Sequence, residues 1–484
     1  MSSRFDVTVV GSGPNGLAAA VVAARAGLGV RVIEGAESAG GGLRTAELTL
    51  PGYRHDVCSA VHPAALASPF FRAFGLSERV EFAIPEVSYA HPLRGRDAAV
   101  AYRRLDRTAE RLGRDGPAWR RLLGPLVERL DGVVDFTGSQ LLRVPRDPIA
   151  AALFGIRSLE QGGPLWNARF HEEDAPALLA GVAAHASGRQ RSLAVAGAGL
   201  LLAAHAHARG WGVPRGGSQA IADTLLADLR EHGGAVETGR RVRSLAEVRD
   251  SRVVILDTSP ELLLAGDLPP GYRRRLQAYR YGAGAAKVDF ALAGPVPWAD
   301  AALREAPTVH LGGDRAAIAR SEAAVSRGSI AQHPYVLVTQ PSVVDDSRAP
   351  AGHQVLWAYI HVPAGSPLDP TETVTAEVER YAPGFRDLIL ASSAMSARRL
   401  GEHNPNYVGG DIYCGALTLR QLLKRPVLSP RPWRTPLDGV YLCSSATPPG
   451  PAVHGMGGWF AATLALRDHF GIRDEIPLAP APAA

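Results

Sequence analysis

Gly11-Ser12-Gly13-Pro14-Asn15-Gly16 stands between an apolar, β-branched run, Phe5–Val10, and an alanine-rich stretch, Leu17–Ala26, which Gly27 stops. Val30-Arg31-Val32-Ile33 follows and ends in Glu34. Strand, G-x-G-x-x-G, helix, strand and acid in that order describe a dinucleotide site. Gly11 permits the tight turn, Gly13 lets the backbone approach a diphosphate, and Gly16 lets the helix pack close to the strand. Pro14 and Asn15 open the helix, whose free N–H groups and partial positive charge suit phosphate oxygens. Glu34 falls where a carboxylate receives ribose hydroxyls.

The next segment bears on which dinucleotide. Gly40-Gly41-Gly42 follows the acid closely, then Leu43-Arg44-Thr45. Three glycines in a row let a backbone lie against a second stretch of the same extended ligand. A nicotinamide dinucleotide does not need that second patch, whereas FAD, with its ribityl chain reaching onward, does.

On these residues the chain resembles the FAD-dependent phytoene desaturase-like and amine oxidase-like superfamily. Its pattern of acid, spacer, Gly-Gly and Thr is matched by Glu34, Gly40, Gly41 and Thr45. Many members carry Arg directly after the glycine pair, where this chain has Gly42; Arg44 is the substitute at hand. The resemblance implies non-covalent FAD, contacted by Gly11, Gly13, Pro14, Asn15, Gly16, Glu34, Gly41, Gly42, Leu43, Arg44 and Thr45. It places Val242 against the adenine through its backbone, a position that ordinary packing explains as well. At the other end, Gly439–Cys443 reads as a strand, Thr447–Pro451 as a loop, and Val453-His454-Gly455-Met456-Gly457-Gly458 opens a helix over Trp459–His469. In the family this unit closes over the flavin, so Val453, Gly455 and Met456 are expected beside it, with the helix N-terminus at the pyrimidine edge.

Proton-transfer candidates are His454, beside the expected ring, and His62 in Ser59-Ala60-Val61-His62-Pro63. A histidine with a near-neutral pKa takes a proton from a substrate; hydrogen-bond donation that merely holds neighbours is the alternative for both. Cys58, Cys414 and Cys443 form no C-x-x-C pair and no zinc-spaced Cys/His cluster, which excludes a dithiol centre, a disulfide scaffold and a metal site.

The elements that must position these residues define an α/β chain. A Rossmann-like FAD-binding domain with a parallel sheet, discontinuous over 1–75, 205–260 and 401–475, carries an inserted α+β substrate domain. That insert is expected to be helical over 76–204 and sheet over 261–400, with a disordered tail at 476–484. Gln219–His232 reads as a helix, Ala235–Val242 as a strand, and Ala286–Leu292, Tyr335–Thr339 and Val355–Val362 as strands of the second sheet. The chain moves quickly from Arg243 to Val253-Val254-Ile255-Leu256-Asp257-Thr258-Ser259-Pro260, which shortens a hairpin that family members usually have.

With 46% hydrophobic and 20% charged residues over 484, the composition supports a large core and excludes wholesale disorder. A net charge of +5 spread over the chain is no nucleic-acid footprint. Only Lys287 and Lys424 among 52 basic residues are lysine. The longest apolar run, Leu193–Ala204, contains Gly197 and Gly199 and falls short of the ~20 residues of a membrane span. A cytoplasmic protein is expected, with peripheral membrane contact left open.

No second fingerprint followed by an acid is found, which argues against a pyridine-nucleotide reductase. The reading is an FAD-dependent desaturase or dehydrogenase that removes a hydride and a proton from a hydrophobic small molecule, with oxygen, a quinone or another carrier as acceptor. A flavin amine or alcohol oxidase, a non-redox flavin isomerase, and a non-enzymatic binder resembling the prenyl-protein escorts are the alternatives. The Ala/Leu-rich stretch 150–204 suits an apolar cleft and a helical core equally.

Overall fold

Parallel strands buried on both faces need apolar runs, and the first sheet is built from such runs. The structure, a computed structural model, describes residues 5–480. Val440–Leu442, Val253–Leu256, Val7–Val10, Val30–Ile33 and Ala235–Glu237 lie side by side in that order, all parallel. Val9 pairs with Val32 on one side and Ile255 on the other, so the fingerprint strand is central. One face packs on the helices Pro14–Arg25, Gln219–Glu231 and Met456–Ala465. The other packs on Leu263, Tyr272 and Leu276. This is an α/β fold with a Rossmann-like domain, and its strands come from three separated stretches of chain.

A second sheet has seven strands, in the order Ile389–Met395, Gly284–Leu292, Gln354–Val362, Val336–Thr339, Thr308–Leu311, Val87–His91, Ala99–Tyr102. Its pairs are antiparallel except Thr308–Leu311 with Val87–His91. Two of these strands correct the sequence reading, because Val87–His91 and Ala99–Tyr102 fall in the segment expected to be helical. Both are buried throughout and show no alternation that would mark a strand. The rest of that segment is mostly helical apart from loops and the two-residue strand Phe82–Ala83, and Leu193–Ala208 buries Leu200, Ala203 and Ala204 against Trp119 and Trp211. At that helix, core packing accounts for the apolar run.

Two further expectations change. The strand expected over Ala235–Val242 ends at Glu237, since Gly239 takes φ +71° and Arg240 donates its N–H to the Glu34 carbonyl, turning the chain over the sheet edge. A short helical turn, Leu245–Val248, capped by Ser244 and Glu247, fills the place of a hairpin. The tail expected to be disordered packs through residue 480. Leu478 belongs to the first core, and Arg25 donates to the Pro477 and Ala479 carbonyls. Residues 481–484 lie outside the described residues. Among the described residues no helix is long and apolar enough to cross a membrane.

Candidate functional site

The fingerprint strand ends where the Val253–Leu256 strand beside it also ends, and the two C-termini open onto a cavity of about 550 Å³. Ligands of open parallel sheets bind at this edge. The cavity runs from Glu34 and Val242 past Gly11, Gly13, Pro14 and Asn15 to Gly41, Gly42 and Arg44. It ends against Tyr407, Cys414, Ser444 and Ser445.

Each end is held rigidly. The Glu34 carboxylate accepts from the Ser12 N–H (2.9 Å), the Ser12 hydroxyl (2.6 Å) and the Ala36 N–H (2.8 Å). Arg44 donates from Nε to the Gly41 carbonyl (3.0 Å) and from Nη2 to His403 Nε2 (2.8 Å). The two glycine patches meet directly: a Cβ on Gly41, whose φ is +56°, would stand 2.8 Å from the Gly13 Cα. A Cβ on Gly42 would meet the Tyr407 hydroxyl at 2.9 Å.

The fingerprint glycines have a partner that the sequence reading passed over. Asp257 follows the Val253–Leu256 strand, and its carboxylate accepts from the Gly16 N–H at 2.9 Å. A Cβ on Gly13 would stand 2.5 Å from Asp257 Oδ2, one on Gly16 would stand 2.9 Å from the Asp257 Cβ, and one on Gly11 would stand 2.7 Å from the Asp257 carbonyl. Gly11 and Gly13 therefore accommodate this one residue, and Gly16 accommodates it together with the Gly11 carbonyl, which stands closer still. Burial pushes the Asp257 carboxyl up to about 7, and the charge of Glu34 adds to the effect.

Several expected residues stand elsewhere. Gly16 lies inside the helix behind the cavity, and Leu43 is buried in the first core. Thr45 donates to Asp56 (2.8 Å) and accepts from the Gln219 N–H (3.1 Å). Val453 and Met456 pack on the first core, and Gly455 leaves room for the Phe70 ring. Gly457 and Gly458 let the last helix sit on the Asn15 backbone and the Cys443 carbonyl. The amides at 456 and 457 are also engaged: Gly457 N–H donates to Asn15 Oδ1 (3.1 Å) and Met456 N–H to His454 Nδ1 (3.1 Å). The C-terminal glycines thus let the helix pack closely.

Neither histidine has the environment of a base working near neutral pH. His454 accepts from Met456 on one ring nitrogen and donates to the Gly450 carbonyl (3.1 Å) from the other. His62 donates to the Ser218 hydroxyl (2.7 Å), which itself donates to the Ser59 carbonyl. Burial lowers both to about 4.

Three groups were missed in the sequence, two of them at the hairpin of Thr45–Ala46 and His55–Asp56. Arg348 donates to Asp56 (2.8 Å) and Asp345 (2.6 Å), all three being buried. Burial alone would raise the Asp56 carboxyl, but Arg348 and the Ser218 amide hold it below the usual range. Lys287 donates to the Val57 carbonyl (2.8 Å) and pairs with Asp289 (2.9 Å). Deeper in the second sheet, the Glu322 carboxylate receives His361 Nδ1 (3.0 Å), and His361 Nε2 lies 3.3 Å from the Tyr413 hydroxyl, one residue from Cys414 at the cavity end. That is a carboxylate–imidazole–hydroxyl series. One signal was available: Lys287 is one of two lysines in the chain.

The fingerprint, the acid and the sheet edge agree with what comparison finds. Residues 9–74 match the NAD(P)-binding Rossmann-like domains. A rat protein, pyridine nucleotide-disulfide oxidoreductase domain-containing protein 2, is 24% identical over 97% of this chain and 94% of its own length. Among solved structures, putrescine oxidase bound to putrescine superposes with a TM-score of 0.60 at 17% identity, covering 97% of this chain and 99% of that one. An oxidoreductase from Methanosarcina mazei superposes with 0.59 at 14% identity, covering 95% and 99%. At these identities the likeness to solved structures is one of fold.

Proposed function

We propose that this chain is an FAD-dependent oxidoreductase that removes a hydride and a proton from a hydrophobic small molecule, in the manner of a desaturase or dehydrogenase, with oxygen, a quinone or another carrier as acceptor. The observation that carries this reading is the direct contact of the two glycine patches along one cavity. Gly13 and Gly41 together line a channel that continues from Glu34 to Arg44 and Tyr407. A ligand that ends at a first diphosphate would need only the first patch. The volume of about 550 Å³ is that of a small-molecule or cofactor site.

Glu34 is held in place to receive ribose hydroxyls, the N-terminal turn of the helix Pro14–Arg25 would take the diphosphate, and Arg44 stands beside the second patch. FAD bound there supplies the hydride acceptor. Proton transfer falls to the chain itself. With His454 and His62 engaged internally, the His361–Glu322 pair is the proton-handling group of this reading: the carboxylate orients the ring, whose Nε2 lies 3.3 Å from the Tyr413 hydroxyl, itself donating to the His185 carbonyl.

The test is anaerobic mixing of the flavin-loaded protein with candidate apolar metabolites. The expected result is loss of the visible flavin band in one turnover and a product two hydrogens lighter, with little reduction by NADPH. Rapid stoichiometric bleaching by NADPH alone contradicts the reading, and a product of unchanged mass replaces it with isomerisation.

A further inference from the structure

Ten large apolar side chains are exposed among the described residues, and eight of them fall in two short stretches, 142–165 and 419–428. The first stretch contains the helix Pro148–Gly162. Its Ala150, Phe154, Ser158 and Gln161 face inward, with Phe154 3.4 Å from where a Gly197 side chain would begin. Ile149, Ile156 and Leu159 form a stripe pointing the other way, each more than half exposed. Leu142 and Val144, on the approach to the helix, are exposed at 61% and 86%. The second stretch lies alongside, because Gln140 donates to the Pro430 carbonyl (2.8 Å), and it adds Leu428 at 63%. Monomers scatter such residues singly; a contiguous patch marks an interaction surface.

The charge around the patch is one-sided. Residues 412–437 contain five basic residues and no acid. Arg425 is buried and Arg434 pairs with Asp468, which leaves Arg420, Lys424 and Arg431 without an ion pair among the described residues. Arg146 projects from the other stretch with its side chain 89% exposed and is 3.8 Å from Asp135, a carboxylate that also pairs with Arg143. The acids flanking the stripe, Asp147 and Glu160, are both engaged: Asp147 accepts from the Ile149 and Ala150 N–H groups and pairs with Arg129 (3.0 Å), and Glu160 pairs with Arg169 (2.6 Å). An outward apolar stripe bordered by cations is the composition of a helix lying in a lipid interface. A second copy of the chain fits less well, since a two-fold contact would bring the same cations against each other.

We infer that the face formed by Pro148–Gly162 and the 419–431 loop docks on an anionic membrane surface. This does not depend on the cofactor reading. Docking here would let a chain that handles an apolar molecule meet it where such molecules reside, and that link alone rests on the proposed function.

The test is co-sedimentation with vesicles of equimolar phosphatidylglycerol and phosphatidylcholine, against vesicles of phosphatidylcholine alone. The full chain is expected to pellet with the anionic vesicles and to be released as salt rises toward ~1 M, where the screening length falls to about 3 Å. Combining Ile149→Ser, Ile156→Ser and Leu159→Ser removes the stripe without touching the core, so the thermal midpoint should hold while binding falls about tenfold or more. Combining Arg420→Gln, Lys424→Gln and Arg431→Gln should abolish the preference for the anionic vesicles. Wild-type protein left in the supernatant, or equal pelleting of the serine variant, overturns the inference. So does a concentration-dependent dimer that the serine substitutions dissolve, which would give the face to a second copy.

Discussion

Asp257 lines the cavity against the fingerprint loop, where the proposed cofactor's diphosphate would bind, and replacing it by Asn tests how the cavity handles that charge. The carboxylate accepts the Gly16 amide and lies against Gly11, Gly13 and Gly16, and of the cavity-lining carboxylates Glu34, Glu261 and Glu402 it is Glu34 whose charge acts on it. Cys414 and Cys443 are its remaining titratable neighbours, while Arg240, Arg241 and Arg243 line the far wall. Burial raises its pKa from 3.8 to about 7, so ionising it in the folded chain costs on the order of 4 kcal/mol, an upper bound. Above that pH an anionic ligand meets an ionised acid at the loop; below it, a neutral one. Dinucleotide binding is therefore expected to take up a proton, and its Kd to rise about tenfold per pH unit above about 7. Asp257→Asn keeps an acceptor for the Gly16 amide and removes the charge, so its affinity should be tighter at alkaline pH and flat. The folded pKa is raised, so this group contributes less stability as pH climbs from about 4 to about 7, and the Asn variant should gain relative stability across that window. Quenching of FAD fluorescence, repeated with ADP, measures Kd between pH 6 and 9. A wild-type Kd that does not change with pH, or an Asn variant with the wild-type slope, would refute the reasoning.

Further outcomes follow from the geometry. Gly13→Ala should lose flavin because its Cβ would meet Asp257 Oδ2 at 2.5 Å, and adding Asp257→Ala should restore binding; failure of that rescue would return Gly13 to a role toward the ligand itself. Arg348→Met should cost about 3–5 kcal/mol in urea unfolding by leaving Asp56 and Asp345 unpaired in the interior, and a loss under 1 kcal/mol would contradict the burial described. Burial lowers His62, His91, His205, His207 and His454 to about 4. The unfolded chain then binds more protons between about pH 4 and 6.5, so each contributes stability that is lost on acidification, with a slope of about 1.4 kcal/mol per pH unit. A thermal midpoint that stays constant across that range would contradict it. Glu322→Gln should lower kcat and change its pH profile while leaving flavin content intact; an unchanged profile would remove the His361 series from the chemistry.

What was legible in the sequence was local. The turn from Val10 to Pro14, the helix after it and Glu34 lie within one βαβ unit, and each residue type there has one conformational reason. Asp257 was in plain view after an obvious strand, yet its role exists only because that strand pairs in parallel with one some 240 positions earlier. Arg348 and Lys287 were silent for the same reason: their partners at Asp56 and Val57 belong to a hairpin far away in the chain. At 455–458 the sequence does not separate packing from binding, because a glycine needed for helix packing and one needed for a ligand look alike. The two strands between Val87 and Tyr102 were hidden because both of their faces are covered, which erases the period of two.

The central claim is that the cavity from Glu34 to Tyr407 holds FAD without a covalent bond, and the flavin content of the purified protein tests it most directly. After denaturation and centrifugation, close to one FAD per chain is expected in the supernatant, with a colourless pellet. A yellow pellet would contradict the non-covalent claim, and a native protein that is colourless and takes up no added FAD would contradict the account as a whole.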